Sequence, residues 1–241
     1  MNREFAGHGL VVAADVPELR DLQALVKETT ALGFIAGYKV GIELVGPNGF
    51  YAVCEAVRRE SNLPLIYDHQ KWGTDIPEIA GGRTLARMKE AGFDALIIFP
   101  FSGIETLRKA VAGCLDNGLL PIVGGEMTHP GFLSSDGGYL GSGAPARMYR
   151  DGARAGARAF VVPGTKPQKI VTYKTLLEPL VGQPTFFFPG IGKGQGGDIV
   201  EAFRAALPHP SYAIVGRGIY AEPDPAGAAH RLWSTVQAAR L

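Results

Sequence analysis

An α/β chain folded as a single (β/α)8 TIM barrel is what this sequence predicts, and three observations carry the prediction. Short apolar runs recur about every 30 residues along a chain of 241. Each run is followed by a turn and then by a stretch of helical character, the signature of repeated βα units. The middles of the runs are continuously apolar, as expected of parallel strands covered on both faces. Eight such units match a closed barrel over residues 1–241; a doubly wound open sheet is the alternative, for which eight units are many.

In chain order, Gly9–Asp15 reads as the first strand and Val16–Leu32 as its helix. Ala36–Gly41 is the second strand, followed by a helix over Pro47–Glu60. Leu65–Asp68 pairs with Asp75–Ala91, and Ala95–Phe99 with Ile104–Asn117. The second half repeats the pattern: Leu120–Val123 with Pro145–Gly156, then Ala159–Val162 with Pro167–Leu180. Thr185–Phe188 precedes Asp198–Leu207, and Ala213–Val215 precedes Asp224–Ala239. Pro47, Pro145 and Pro167 fall near helix starts, where a missing N–H costs little. Gly33, Gly92, Gly118 and Gly156 follow helix ends, where a positive φ is wanted. The segment Gly124–Gly143 fits no element and holds seven glycines in twenty residues. Loops of that length are usually functional, so it is expected to be an active-site loop after the fifth strand.

Composition narrows the function. The hydrophobic fraction is 46% and the charged fraction 20%, which excludes a disordered chain. Lysine and arginine total 24 against 23 acidic residues, so no electrostatic footprint for nucleic acid or an anionic membrane exists. No stretch approaches the roughly 18 apolar residues of a membrane span, and no targeting segment is visible. A cytoplasmic protein is expected, with Cys54 and Cys114 reduced and buried on helices. Two cysteines exclude a disulfide scaffold and a four-cysteine metal site.

In a barrel the site is built from the loops after the strands, so the residues that close each apolar run are the informative ones. The first run closes in Asp15, the second carries Lys39, and the third closes in Asp68-His69-Gln70-Lys71 with Asp75 in the next turn. Alternation of sign matters here. Converging carboxylates alone would repel one another, whereas interleaved lysines keep both kinds of group charged. Such an array places a positive charge, with a donatable proton, where an anion develops. After the fifth strand comes Glu126-Met127-Thr128-His129-Pro130-Gly131. The seventh runs into Pro189-Gly190-Ile191-Gly192-Lys193-Gly194-Gln195-Gly196-Gly197, and the eighth into Gly216-Arg217-Gly218. Glycines let backbone N–H groups approach an oxyanion, Arg217 adds a bidentate donor, and barrels often bind phosphate at these two loops.

Together these segments resemble the orotidine 5′-phosphate decarboxylase family over nearly the whole chain. Val11–Asp15 resembles its first strand and Tyr38-Lys39-Val40-Gly41 its second. Asp68–Pro77 resembles the signature D-x-K-x-x-D-I-P, and Glu126–Gly131 the loop that contacts the pyrimidine. Pro189–Asp198 and Val215–Tyr220 resemble its two phosphate loops. One departure stands out: Asp68 and Lys71 are spaced i, i+3 and Asp68 and Asp75 i, i+7, where the family has i, i+2 and i, i+5. A two-residue insertion is expected in this turn, with Trp72-Gly73-Thr74 absorbing part of it.

The resemblance implies decarboxylation of orotidine 5′-phosphate to uridine 5′-phosphate in pyrimidine biosynthesis, with no metal or organic cofactor. It implies catalytic roles for Lys39, Asp68, Lys71 and Asp75, with Lys71 protonating the carbanion. Asp15 would bind the ribose, Thr128 the pyrimidine edge, and Gln195, Gly216 and Arg217 the phosphate. It also implies a homodimer, with Asp75 reaching across the interface. His129 reads as a residue that orients its loop. Two alternatives are a Mg²⁺-dependent enzyme of keto-sugar phosphates on the same barrel and a catalytically silent phosphate-binding barrel. The first needs a metal-binding glutamate beside the second strand, where Glu43 is the nearest acid.

Overall fold

A computed structural model of the chain describes residues 5, 7–69, 72–192 and 196–240. Eight parallel strands close on one another in sequence order. They are β1 His8–Ala13, β2 Ile35–Gly41, β3 Leu65–Asp68, β4 Ala95–Ile98, β5 Leu120–Gly124, β6 Ala159–Val161, β7 Thr185–Phe188 and β8 Ser211–Val215. The crossovers carry α1 Leu19–Thr29, α2 Ile42–Arg58, α3 Pro77–Ala80, α4 Arg83–Ala91, α5 Ile104–Asp116, α6 Ala144–Arg154, α7 Pro167–Val181 and α8 Ile199–Ala206. After β8 come the short α9 Arg217–Tyr220 and then α10 Pro225–Ala238.

Period-two alternation sorts the strand residues. Val11, Ala13, Ile66, Ile97, Val161 and Ile214 fill the barrel interior, whereas Leu10, Val12, Tyr67 and Ile98 face the helices. At the N-terminal mouth, the Phe5 ring lies 5.1 Å from both Phe187 and Tyr212 and caps the interior. The C-terminal mouth is where the polar strand ends gather.

Several expected boundaries shift, each for a local reason. The helix expected over Pro47–Glu60 begins at Ile42, directly after β2, and is broken at Gly49 (φ 75°, ψ 168°). Pro47 therefore lies inside it and not at its start. The helix expected over Asp75–Ala91 is two helices, parted where Gly82 is extended (φ −87°, ψ −164°), and Gly81 before it lies against the backbone of α5. A Cβ there would sit 2.5 Å from the Lys109 carbonyl. Gly92, Gly118 and Gly156 do take positive φ; Gly33 does not. Gly124 completes β5, and the following segment closes on itself. Leu133 bridges to Leu140, Ser134–Asp136 form a 3-10 turn, and Gly131 N–H donates to Asp136 at 2.6 Å. Cys54 and Cys114 are both buried, and burial pushes the Cys114 thiol up to about 12.

Candidate active site

Parallel registry brings three charged side chains to one place. Ala13 lies beside Lys39 and Gly41 beside Asp68, while Asp15 follows β1 by two residues. Lys39 Nζ stands 3.0 Å from Asp68 Oδ2 and 3.4 Å from Asp15 Oδ1. The Lys39 and Asp68 side chains are only 10% and 8% exposed. Burial works against the Lys39 charge, but the carboxylates of Asp68 and Asp15 outweigh it and hold the ammonium above its ordinary 10.5. Asp68 Oδ1 is buried with no hydrogen-bond partner among the described residues. A carboxylate oxygen left so beside a cavity is a place for a further donor. Lys71 and Gln195, two of the expected site residues, lie outside the described residues.

The array borders a cavity of about 200 Å³. Ile97, Phe99, Val161 and Ile214 rise from the barrel interior as its apolar wall. Thr128 enters from the loop after β5, Gly190 from the loop after β7, and Gly216 and Arg217 from the end of β8. Gly190, Gly192 and Gly196 all take positive φ, and Gly197 N–H closes the turn onto the Gly190 carbonyl at 3.0 Å. One side of the mouth thus holds alternating charge, and the other holds glycine backbone with a guanidinium. Arg217→Ala is expected to raise the KM or Kd of a phosphorylated ligand roughly 10- to 100-fold, the scale of a charge-assisted hydrogen bond. Titration calorimetry with a nucleotide and its dephosphorylated nucleoside checks this: only the nucleotide should weaken.

Asp15, Lys39, Asp68, Thr128, Gly216 and Arg217 therefore share one cavity. Asp75 stands apart on an exposed turn, where its Oδ1 accepts the Ile76 N–H at 2.7 Å and its carbonyl accepts the Thr106 hydroxyl at 2.9 Å. His129 is exposed and packs edge-on against Phe132, in keeping with an orienting role. His69 meets the Tyr67 hydroxyl at 3.2 Å and is not part of the cavity lining.

Two contributors were not singled out in the sequence. Phe99 floors the cavity only because residue 124 is glycine: a Cβ at Gly124 would lie 2.4 Å from the Phe99 ring. The paired glycines at the end of β5 were the available signal. Glu126 also lines the cavity yet is 2% exposed, a buried acid at a strand end. Its partners Lys166 and Tyr173 lie 40 and 47 residues further on, beyond the reach of any local pattern.

The fold and this site define a (β/α)8 barrel with a charged centre at its C-terminal mouth, the end where such barrels carry their chemistry. The chain belongs to the Orotidine 5'-phosphate decarboxylase / HUMPS family, whose model matches residues 8–232. It is 28% identical over 232 residues to the orotidine 5′-phosphate decarboxylase of Methanosarcina barkeri, covering 95% of each chain. The Pyrococcus abyssi enzyme of that name is 29% identical over 229 residues, covering 95% of this chain and 99% of its own. Among solved structures, the Methanocaldococcus jannaschii enzyme complexed with the inhibitor BMP superposes with a TM-score of 0.82 at 22% identity. That match covers 96% of this chain and 99% of the other and speaks to the fold. Among the described residues no helix is long and apolar enough to cross a membrane, and no three His, Cys, Asp or Glu side chains converge as a metal site.

Proposed function

We propose that this protein decarboxylates orotidine 5′-phosphate to uridine 5′-phosphate, without metal or organic cofactor, in pyrimidine biosynthesis in the cytoplasm. The observation that carries the reading is the Asp15–Lys39–Asp68 array, set opposite glycine loops and Arg217 across one cavity. In the reaction the bond from pyrimidine C6 to its carboxylate breaks. CO₂ leaves, the electron pair stays on C6, and one proton returns to that carbon. Lys71 is the proton donor and stabilises the carbanion by its charge. Asp68 holds Lys39 and faces the reacting end; Asp15 and Lys39 bind the ribose hydroxyls. Thr128 hydrogen-bonds the pyrimidine edge, and Gln195, Gly216 and Arg217 hold the phosphate. Phosphate binding remote from C6 supplies free energy for ordering the site, with the segment 124–143 as a loop over it. The wider Asp68–Lys71 and Asp68–Asp75 spacing is a two-residue insertion that this turn absorbs. Trp72 supports that reading, since its indole N–H donates to the Ala80 carbonyl at 3.0 Å and its own carbonyl accepts the Phe99 N–H at 3.1 Å.

The functional unit is a homodimer with Asp75 contributed across the interface. Ile76 and Ile79 beside Asp75, and Phe101 and Ile104 at the start of α5, are large apolar residues with 38–58% of their surface exposed, which supports a second copy covering them. Light scattering is expected to give twice 25.6 kDa for the wild type, and Ile79→Glu is expected to give the single-chain mass. A wild type of single-chain mass at micromolar concentration contradicts the dimer.

The keto-sugar-phosphate reading finds less support, because Glu43 is exposed on α2 and does not line the cavity. Product analysis separates the two. One CO₂ and one uridine 5′-phosphate are expected per orotidine 5′-phosphate consumed, and no turnover of a keto-sugar phosphate with Mg²⁺. The reverse pattern refutes the proposal.

A further inference from the structure

We propose that Glu126 is a positioning residue, whose buried carboxylate, clamped between Lys166 and Tyr173, sets where Thr128 stands in the cavity. The inference rests on the reading of Thr128 as the contact to the base. Glu126 Oε1 accepts from Lys166 Nζ at 2.8 Å, and Oε2 accepts from the Tyr173 hydroxyl, with Lys169 Nζ 3.9 Å away. The Glu126 side chain is 1% exposed. A carboxylate so buried is costly unless each oxygen finds a partner, and here each does. Burial, and hydrogen bonding to Glu126, push the Tyr173 phenol well above its ordinary range, so it remains a donor.

The clamp acts on three consecutive residues. Tyr149 accepts the Glu126 N–H at 3.2 Å and donates to the Val161 carbonyl at 2.6 Å, tying this backbone to β6. Lys166 spends a second N–H on the Met127 carbonyl at 3.3 Å, and the Thr165 hydroxyl donates to the Thr128 carbonyl at 3.4 Å. Thr128 and Thr165 then close on Gly190, where a Cβ would lie 2.9 and 2.8 Å from their methyl groups. The loops after β5, β6 and β7 are therefore locked in one register, and Glu126 carries the charged link between the first two, close to Lys166 and more distantly to Lys169. Packing alone could be served by an apolar residue of similar size; direction cannot. Loss of the carboxylate frees Lys166 and lets the Thr128 segment shift without opening the barrel.

The test compares binding of uridine 5′-phosphate and ribose 5-phosphate to wild type, Glu126→Gln, Lys166→Met and the double variant by titration calorimetry, with Tm beside it. Glu126→Gln is expected to weaken the nucleotide about tenfold and to leave ribose 5-phosphate within about twofold, the scale of a displaced hydrogen bond. Lys166→Met strands the carboxylate and lowers Tm. The double variant is expected to recover Tm and still bind the nucleotide weakly. Equal weakening of both ligands, or nucleotide affinity that returns with Tm, overturns the proposal. A wild type that holds the nucleotide no tighter than ribose 5-phosphate overturns the reading of Thr128, and the proposal with it.

Discussion

Lys71→Ala is expected to lower kcat for orotidine 5′-phosphate by about 10⁴-fold or more, while uridine 5′-phosphate still binds. A proton donor placed at a reacting carbon contributes roughly 10²–10⁴-fold. A charge aimed at the developing anion contributes roughly 10²–10³-fold more, and the proposed mechanism gives both duties to one ammonium. The chemistry demands this, because an electron pair left in the plane of the pyrimidine ring at C6 has little resonance to spread it. The measurement is loss of ultraviolet absorbance of orotidine 5′-phosphate, with nucleotide affinity determined in parallel. A variant that keeps a tenth of the wild-type rate shows that Lys71 is not the donor and that the wider spacing after Asp68 has taken it out of the reaction.

Lys39→Met is expected to be the second most damaging change, and it should act on stability as well as on rate. Lys39 is buried between Asp68 and Asp15. Removing one member of a buried ion pair costs about 3–5 kcal/mol, because the remaining charge is left uncompensated. In a chain of this length that is a fall in Tm of roughly 10 °C or more. The rate should fall about 10²–10³-fold. Adding Asp68→Asn to Lys39→Met should return much of the Tm and none of the rate, which separates folding from chemistry. The pH dependence has a definite sign. The Lys39 ammonium is held above its unfolded value, so its stabilising contribution is complete below that value, 10.5, and is lost as pH rises through the folded one. Thermal melts of the wild type should therefore show no pH-dependent change from Lys39 between about pH 6 and 9, and any loss should appear only in strong alkali.

The strands were legible because a parallel strand covered on both faces must be apolar throughout, and its polar closing residue marks the mouth. That logic led to Asp15, Lys39 and Asp68, and the registry of β1, β2 and β3 brings those three together. The helices were legible in number but not in their ends. Pro47 resembles a helix start, yet α2 already runs from Ile42, and only Gly49 interrupts it. The next helix breaks at Gly81 and Gly82, and Gly81 is pressed against α5, a contact that no local pattern contains. The same holds for the site. Thr128 could be found from its motif, whereas Glu126 beside it read as one more residue of the same loop. Its role rests on Lys166 and Tyr173, far along the chain, and on a burial that composition does not reveal. Phe99 escaped notice for a related reason: its place in the cavity depends on what Gly124 lacks.

The most direct measurement is turnover of orotidine 5′-phosphate by the purified wild type in excess EDTA. Steady decarboxylation, unchanged by the chelator, is the expected result, because in the proposed mechanism Lys71, Lys39 and Asp68 do the work without a metal. A protein that binds uridine 5′-phosphate tightly but leaves orotidine 5′-phosphate intact, or that turns it over only when Mg²⁺ is restored, contradicts it.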